Sequence, residues 1–575
     1  MMNSNQPLSK KTPSTLKKFA GTSRQSALKK SAVRDRFKNI YVMDFFDSKD
    51  LAGALERYQN DPDVDYAAVN HVFKIDAVKP NDMHVDSLYW IMLVRALDAW
   101  NLQKGTRDIL ISIIDSGIDY LHPDLSNQIW QNPGEIGTDD SGHDRRTNGV
   151  DDDGNGYIDD WRGWDFVDAP GFDDNGDFLD PDNDPLDDNG HGTAVAGIIG
   201  AEGHNHTGVI GLAYGCAIMP LRAGSASGFL QEDDVAQAII YAVDNGARVI
   251  NMSFGDKEFS PLLRDAIRYA YEHNVVMVAS AGNDASPAYH YPSGFDETIS
   301  VSATGPDDFF ATFSNYGVSI NVAAPGVNVY STVRGGGYNY FSGTSASAPL
   351  VSALAALVIS HHPEFSAEEI KSIIETSADD IGENGWDQYY GAGRINAFRA
   401  LQVAYASIAR INFPATDQGV SSDTLDILGT ASGAFLKQYS VYYGAGSNPS
   451  EWILLRTVEN RQVVNARLAS LNLQSLADGP YSLRLMIANK DGSVVEDRSR
   501  FFIDRSAPAI SGIKIQKMIF GNGHGYLIEF QTDDPCASTV WYRAHNSSEP
   551  FKPIPVSALS TKHIVFIPDE ELHGH

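Results

Sequence analysis

The chain has 575 residues, more than one hydrophobic core serves at about 100 to 200 residues per unit, so several units are expected. Against 44 Lys and Arg it carries 74 Asp and Glu, a formal charge of -30 that argues against nucleic acid as a partner, and 18 Asp with three Arg crowd residues 139–188. Two cysteines, Cys216 and Cys536, are too few for a disulfide framework and read as free packing thiols, and no apolar run reads as a membrane span of about 18 residues or more.

Residues 1–37 are polar and basic, with a short helix expected over 14–20 and no apolar segment of the signal-peptide kind. Residues 39–46 read as a strand, 49–59 as an amphipathic helix behind Ser48, and 64–75 as a second strand, together a small α+β unit closed by Pro80-Asn81-Asp82. From residue 96 to about 406 strands and helices alternate. Residues 108–115, DILISIID, form a continuous apolar strand of the kind a parallel sheet buries on both faces. A helix of small residues follows over 192–200 and a strand over 218–221. An amphipathic helix over 233–245 stops at Gly246, followed by a strand at 248–254, a helix at 261–273 and a strand at 275–280. The run 341–359, FSGTSASAPLVSALAALVI, is a buried helix with Ser345 near its N-terminus, and Pro349 implies a first turn close by. Ser366-Ala-Glu-Glu then reads as a capping box. This order predicts an α/β fold, a doubly wound, mostly parallel sheet with its site at the carboxyl ends of the strands. Beyond residue 406 short alternating strands between Gly, Asn, Asp and Pro turns predict a β-sandwich over 411–505 and a further β unit from 506, with strands at 525–530 and 539–543.

Four residues stand where such a fold exposes side chains. Asp115 ends the apolar strand in IDSGID. His191 lies in GHGTAVAG, where flanking glycines permit close approach of other chains. Asn283 follows a buried strand in SAGN, and Ser345 opens the helix in SGTSASAP. Each alone is more ordinary as a cap or a turn residue; together, in the order Asp, His, Asn, Ser, they supply a poor nucleophile with an imidazole base and a carboxylate to fix its tautomer.

On these motifs, with VINMSFG, NVAAPGV and GAGRIN in support, residues 38–406 resemble the subtilisin-like serine proteases, in which Asp precedes His and Ser. The resemblance implies a serine endopeptidase that works through an acyl-enzyme without a catalytic cofactor. Asp115 orients His191, His191 is the general base, Ser345 the nucleophile, and Asn283 with the Ser345 N–H the oxyanion hole. The one departure, Ala346-Ser347 after the nucleophile, keeps a small residue. Alignment to the family further implies that Ser227–Gly228 and Ser253, Phe254 and Gly255 pair with an extended substrate. It makes Ala279, Ser280, Ala281 and Gly282 the wall of a first specificity pocket of apolar or broad preference. An esterase would need Gly-x-Ser-x-Gly, which is absent from the sequence. The alternative is a catalytically silent scaffold of the same fold acting as a binding or surface protein.

The acidic stretch contains DDDGNGYIDD. Asp151, Asp153, Asn155 and the Tyr157 carbonyl fall at alternate positions around Gly156, the first half of a calcium loop, with closure left to Asp159, Asp160 or a residue elsewhere because Arg162 holds the twelfth position. A second candidate, Asp182-Asn-Asp184-Pro-Leu-Asp187-Asp188 just before His191, resembles a metal loop of some members of the family. Structural calcium is the expected ion.

The unit at 38–76 resembles the inhibitory propeptide of these proteases, and implies self-cleavage between Lys74 and His84. The edge strand with which the family's propeptide begins is not evident before Ser14; with the missing signal and an unfinished last β unit, this suggests a gene fragment or a misplaced start, the intact protein being secreted or at the cell surface. The expected divisions are a propeptide at 1–80, a catalytic domain at 81–408, a β-sandwich at 409–505 and an incomplete fibronectin-III-like domain at 506–575. The expected partners are protein or peptide substrates and the chain's own propeptide, for a monomer without a membrane span.

Overall fold

A parallel sheet buried on both faces has no room for polar side chains except at strand ends, and that constraint organises the centre of this protein. In the computed structural model, residues 2–3, 40–41, 48–64, 66–67, 79–169, 176–177, 179–506, 508–520, 523–543 and 550–568 are described. They fall into two units, Met1–Asp76 and Ala77–His575.

In the first unit the helix Ser48–Gln59 accompanies a three-stranded antiparallel sheet, in which Met2–Asn3 lies between Ile40–Tyr41 and Tyr66–Ala67. A strand that the sequence does not announce is therefore present before Ser14, in the middle of this sheet and not at the expected edge. It has two residues, too few for any periodicity to reveal. Tyr58 and Ala67 are buried, with Leu55 and Val64 packed on them. The expected helix at 14–20, and the expected cleavage region up to residue 78, lie outside the described residues.

In the second unit seven parallel strands follow the order Val322–Pro325, Thr298–Thr304, Val276–Ser280, Val249–Met252, Leu110–Asp115, Ala217–Arg222 and Trp164–Asp165. Leu110–Asp115 is wholly buried. Ile111 and Ile113 face one layer, with the helices His191–Gly200, Thr344–His361 and Ala367–Ser377, while Leu110 and Ile114 face the helices Glu232–Asp244 and Pro261–Glu272. Leu110–Asp115 is the first strand of this sheet in the chain; Trp164–Asp165 and Ala217–Arg222 add on one side of it and the strands from Val249 onward on the other, so the strand order reverses beside Asp115, where an open α/β sheet forms its crevice.

The helix Thr344–His361 is buried all round. By length and composition alone it is apolar enough to cross a membrane, against the expectation from the sequence, but 89% of it is packed inside this fold. Pro349 also departs from expectation, since it lies in the second turn and not the first. A proline there removes the N–H that would bond the carbonyl four residues back, that of Ser345. The Ser253 hydroxyl replaces it, donating to that carbonyl at 3.2 Å.

Two further sheets, Ser407–Phe413 with Thr424–Gly433 and Val463–Asn472, and a five-stranded one including Leu436–Ala445 and Gly479–Asn489, enclose a core of Leu425, Tyr439, Leu483 and Phe501. This sandwich is tied to the helices before it. The Ser372 hydroxyl donates to the Ser407 carbonyl, Arg410 pairs with Glu368, and Arg498 lies 4.1 Å over the Trp386 ring. The last sheet is a meander of three long strands, Ile510–Phe520, Gly523–Tyr542 and Lys552–Pro568. Both cysteines are free thiols, and Cys216 is buried in the core.

The expected capping box is present: the Ser366 hydroxyl accepts from Glu369 N at 3.3 Å, and the Glu369 carboxylate accepts from Ser366 N at 2.8 Å. Ser366→Ala is expected to cost about 1 kcal/mol, measured as a lower urea midpoint with unchanged slope.

Candidate active site

Asp115 sits at the end of its strand and is 4% exposed. Its carboxylate receives Ser116 N at 2.8 Å and faces His191, whose Nδ1 lies 2.8 Å from Oδ1 and 3.0 Å from Oδ2. With a carboxylate as partner, Nδ1 carries the proton and Nε2 is left as the acceptor. Burial pushes the imidazolium of His191 down. The charge and hydrogen bond of Asp115, with the charge of Asp187 behind them, more than offset this, so its pKa lies above the usual histidine value.

His191 is the first residue of its helix, after Gly190 at φ 107°, a conformation that favours glycine. Gly192 allows the closest approach, since a methyl group there would stand 2.1 Å from the Gly117 carbonyl oxygen and 3.1 Å from Asp115 Cβ. Asp187, fully buried, fixes this corner. Its Oδ1 accepts from Ser116 Oγ, Asn189 N and Gly190 N, and its Oδ2 from Thr193 N and Thr193 Oγ1, at 2.5 to 2.9 Å. The sequence places Asp187 in the second candidate metal loop and gives it no part in orienting His191; its position four residues before His191 is the available signal.

Ser345 is the second residue of the helix Thr344–His361, behind Gly343, where backbone N–H groups lack intrahelical partners. Its Oγ donates to the Ser253 carbonyl at 3.0 Å, and among the described residues no hydrogen bond joins it to His191. The Phe341 ring meets the His191 ring edge-on at 5.2 Å. Asn283 is oriented by Thr344. Thr344 N, which can only donate, reaches Asn283 Oδ1 at 2.9 Å, and the Thr344 hydroxyl adds a second bond at 3.1 Å. The oxygen is thereby identified, and the Asn283 amide N–H groups face the other way.

Ser227 and Gly228 occupy a tight turn, with Gly228 N donating to the Ser225 carbonyl at 2.9 Å. That N–H is already used, so the turn offers a substrate less than the expected extended pairing. Ser253, Phe254 and Gly255 follow the end of their strand, with the Ser253 carbonyl engaged by Ser345. Ala279, Ser280, Ala281 and Gly282 are buried beside it. Asn315, a residue the sequence did not single out, holds this wall by donating to the Ala281 carbonyl at 2.9 Å and accepting from Asp284 N and Ser286 N.

The acidic loop converges differently from the expected order. Asp151 binds its own loop through Gly154, Asn155 and Gly156 N–H groups, Asp159 accepts from Gly149 N, and the Asn155 side chain caps Tyr157 N. The carboxylates brought together are Asp153, Asp160 and Glu135, which comes from outside the loop. Glu135 and Asp160 are fully buried, and Glu135 Oε2 has no hydrogen-bond partner. Burial, with Asp160 and Asp153 nearby, raises the Glu135 carboxyl to about 7. Two buried acids and one exposed one, with an unpartnered oxygen among them, suit a hard cation. The second candidate forms in part. Asp182 groups with Asp165 and Asp177, which together could hold a cation, beside the buried Arg222 that pairs with Asp165, whereas Asp184 bonds Tyr120 and Arg162.

Residues 106–393 match the subtilase family, peptidase S8. The chain is 36% identical over 352 residues to the thermophilic serine proteinase of Bacillus sp. strain AK1, covering 61% of this chain and 76% of that one. It is 34% identical over 324 residues to thermitase of Thermoactinomyces vulgaris, covering 56% of this chain and 99% of that one. It is 33% identical over 365 residues to the halolysin-like extracellular serine protease Nep of Natrialba magadii, covering 63% and 60%. With a parallel sheet whose order reverses beside Asp115 and with this family match, the chain belongs to the subtilase family and is a subtilisin-like serine endopeptidase.

Proposed function

We propose that Asp115, His191 and Ser345 form the catalytic triad, on the strength of one observation above all: both Asp115 oxygens hold His191 Nδ1, at 2.8 and 3.0 Å, at the reversal point of the sheet. Ser345 Oγ attacks the peptide carbonyl as His191 Nε2 takes its proton. Asp115 stabilises the imidazolium through Nδ1 and is not itself protonated. The tetrahedral oxyanion is met by the Asn283 amide and the Ser345 N–H, aided by the helix N-terminus. His191 then gives the proton to the leaving amine, and water, activated the same way, releases the acyl group. The bond from Ser345 Oγ to the Ser253 carbonyl belongs to the resting site, since catalytic hydrogen bonds commonly close only once substrate is bound.

The unit around the helix Ser48–Gln59 is proposed as the propeptide, within residues 1–80, removed by self-cleavage between Lys74 and His84. The following part to residue 408 is the proposed catalytic domain, with β domains at 409–505 and 506–575. Protein or peptide substrates follow from this reading, and a monomer is proposed. Export from the cell agrees with the extracellular relative from Natrialba magadii. Glu135, Asp153 and Asp160 are the proposed calcium ligands, with Asn132 and Asn155 holding the carboxylates: Asn132 Nδ2 lies 2.9 Å from Asp153 and 2.8 Å from Asp160. Calcium would neutralise the cluster and fix the loop, and takes no part in the reaction.

Mass spectrometry of the protein beside Ser345→Ala, both with calcium, tests the nucleophile and the self-processing together: the parent loses its first 74 to 84 residues and the variant stays intact. Cleavage of both, or of neither when both are folded, overturns this reading. Asn283→Ala is expected to lower kcat about 100- to 1,000-fold with little change in KM, the range known for one oxyanion donor in a subtilisin.

The base must be neutral, and the His191 pKa lies above its ordinary value of 6.5. Activity is therefore expected to rise with pH through that higher value and to be lost below it. Asp115→Asn removes the upward pull, so the acid limb of kcat/KM moves to lower pH while the rate falls steeply.

Excess chelator is expected to lower the melting temperature, and Glu135→Gln to shrink that difference. An unchanged melting curve with and without chelator would reject structural calcium.

A further inference from the structure

The two walls named for the specificity pocket meet a third residue that the sequence reading passed over. A methyl group on Gly255 would stand 2.4 Å from His290 Cε1 and 2.7 Å from Nδ1, and one on Gly282 would stand 2.9 Å from Cδ2 and 3.1 Å from Cγ. Only glycines fit against this ring, which therefore fills the space between the two wall segments. His290 is fixed in place from three sides. Its carbonyl accepts from Ser293 Oγ at 2.5 Å and Gly294 N at 2.8 Å. Tyr291, the next residue, exchanges two backbone hydrogen bonds with Asp256, directly after Gly255, at 2.7 and 2.9 Å. The preceding Tyr289 lies under the Arg500 guanidinium at 5.1 Å. These contacts fix the backbone that carries the imidazole.

We propose that His290 is the specificity-determining residue of this protease: it occupies the depth of the pocket between Gly255 and Gly282 and restricts the residue before the scissile bond to small side chains. The inference rests on Ser345 being the nucleophile and on the two segments being the pocket walls. It replaces a broad pocket by a shallow one. Burial holds the imidazole pKa below its ordinary value, with the Ser280 backbone, the charges of Asp284 and Asp256 and the Gly255 backbone pulling the other way, and Lys257 pairing with Asp284 at 3.0 Å. The ring is thus an uncharged stopper, and His290 Nδ1 is buried without a hydrogen-bond partner.

The test is a series of peptide nitroanilides differing only in the residue before the scissile bond: Ala, Ser, Leu and Phe. The parent enzyme is expected to favour Ala and Ser over Phe at least about tenfold in kcat/KM, the scale on which pockets discriminate by small changes in side-chain volume. His290→Gly opens the slot and raises kcat/KM for Phe about tenfold or more, with Ala changed less than about threefold. His290→Gln, of similar volume, keeps the parental order. Equal turnover of Phe and Ala by the parent, an unmoved ratio in a folded His290→Gly, or a switched preference in His290→Gln each overturns the proposal. If the parent hydrolyses no peptide at all, the nucleophile reading fails separately. The pocket is then read by calorimetry of the same peptides on Ser345→Ala, where tighter binding of Ala than Phe supports the stopper and equal binding rejects it.

Discussion

The carboxylate of Asp187 is the fixed point of this protein. Buried with a negative charge, it is tolerable only because five donors surround it. Those donors come from the residue after Asp115, from the turn before His191 and from the first turn of the His191 helix. One side chain therefore locks the strand carrying the acid to the helix carrying the base. Desolvation that would otherwise cost stability is converted into a corner with no slack, and a 2.8 Å contact between Asp115 and His191 can persist in it.

The other half of the site is built from a missing donor. Pro349 cannot bond the Ser345 carbonyl, and the Ser253 hydroxyl takes its place. Behind it Asn251 Nδ2 donates to Ser253 Oγ at 2.9 Å, and the Ser352 hydroxyl donates to Asn251 Oδ1 at 2.8 Å. This buried polar relay returns to the same helix one turn after the proline. It holds the helix start, and Ser345 with it, against the end of the Val249–Met252 strand. Thr344 does the corresponding work for Asn283.

How much of this a sequence reveals depends on how local its cause is. The strand Leu110–Asp115, the buried helix with Ser345 near its start and the Ser366 capping box are written in short-range patterns of apolar residues and caps, and were legible. So were the four residues of the proposed site, because each terminates a regular element. Asp187, Glu135, Asn315 and His290 were not, since each acts on chain more than 15 residues away or from an unpatterned loop, and nothing in composition marks them. Pro349 misled because a proline inside a helix is excluded locally and permitted only by a partner 96 positions earlier, Ser253. Met2–Asn3 was missed because a two-residue strand exists only through its neighbours.

The junction between the parallel-sheet part and the sandwich has a consequence for the survival of the enzyme among its own copies. Only residues 402–406 separate the helix Ala397–Leu401 from the strand Ser407–Phe413, and the clasp of Ser372 on Ser407 and Arg410 on Glu368 begins at once. A protease must draw its substrate out as an extended strand several residues long. Five residues pinned at both ends cannot be drawn out, so the chain offers its neighbours no loose tether where one of the commonest cutting points of a multidomain protein would lie.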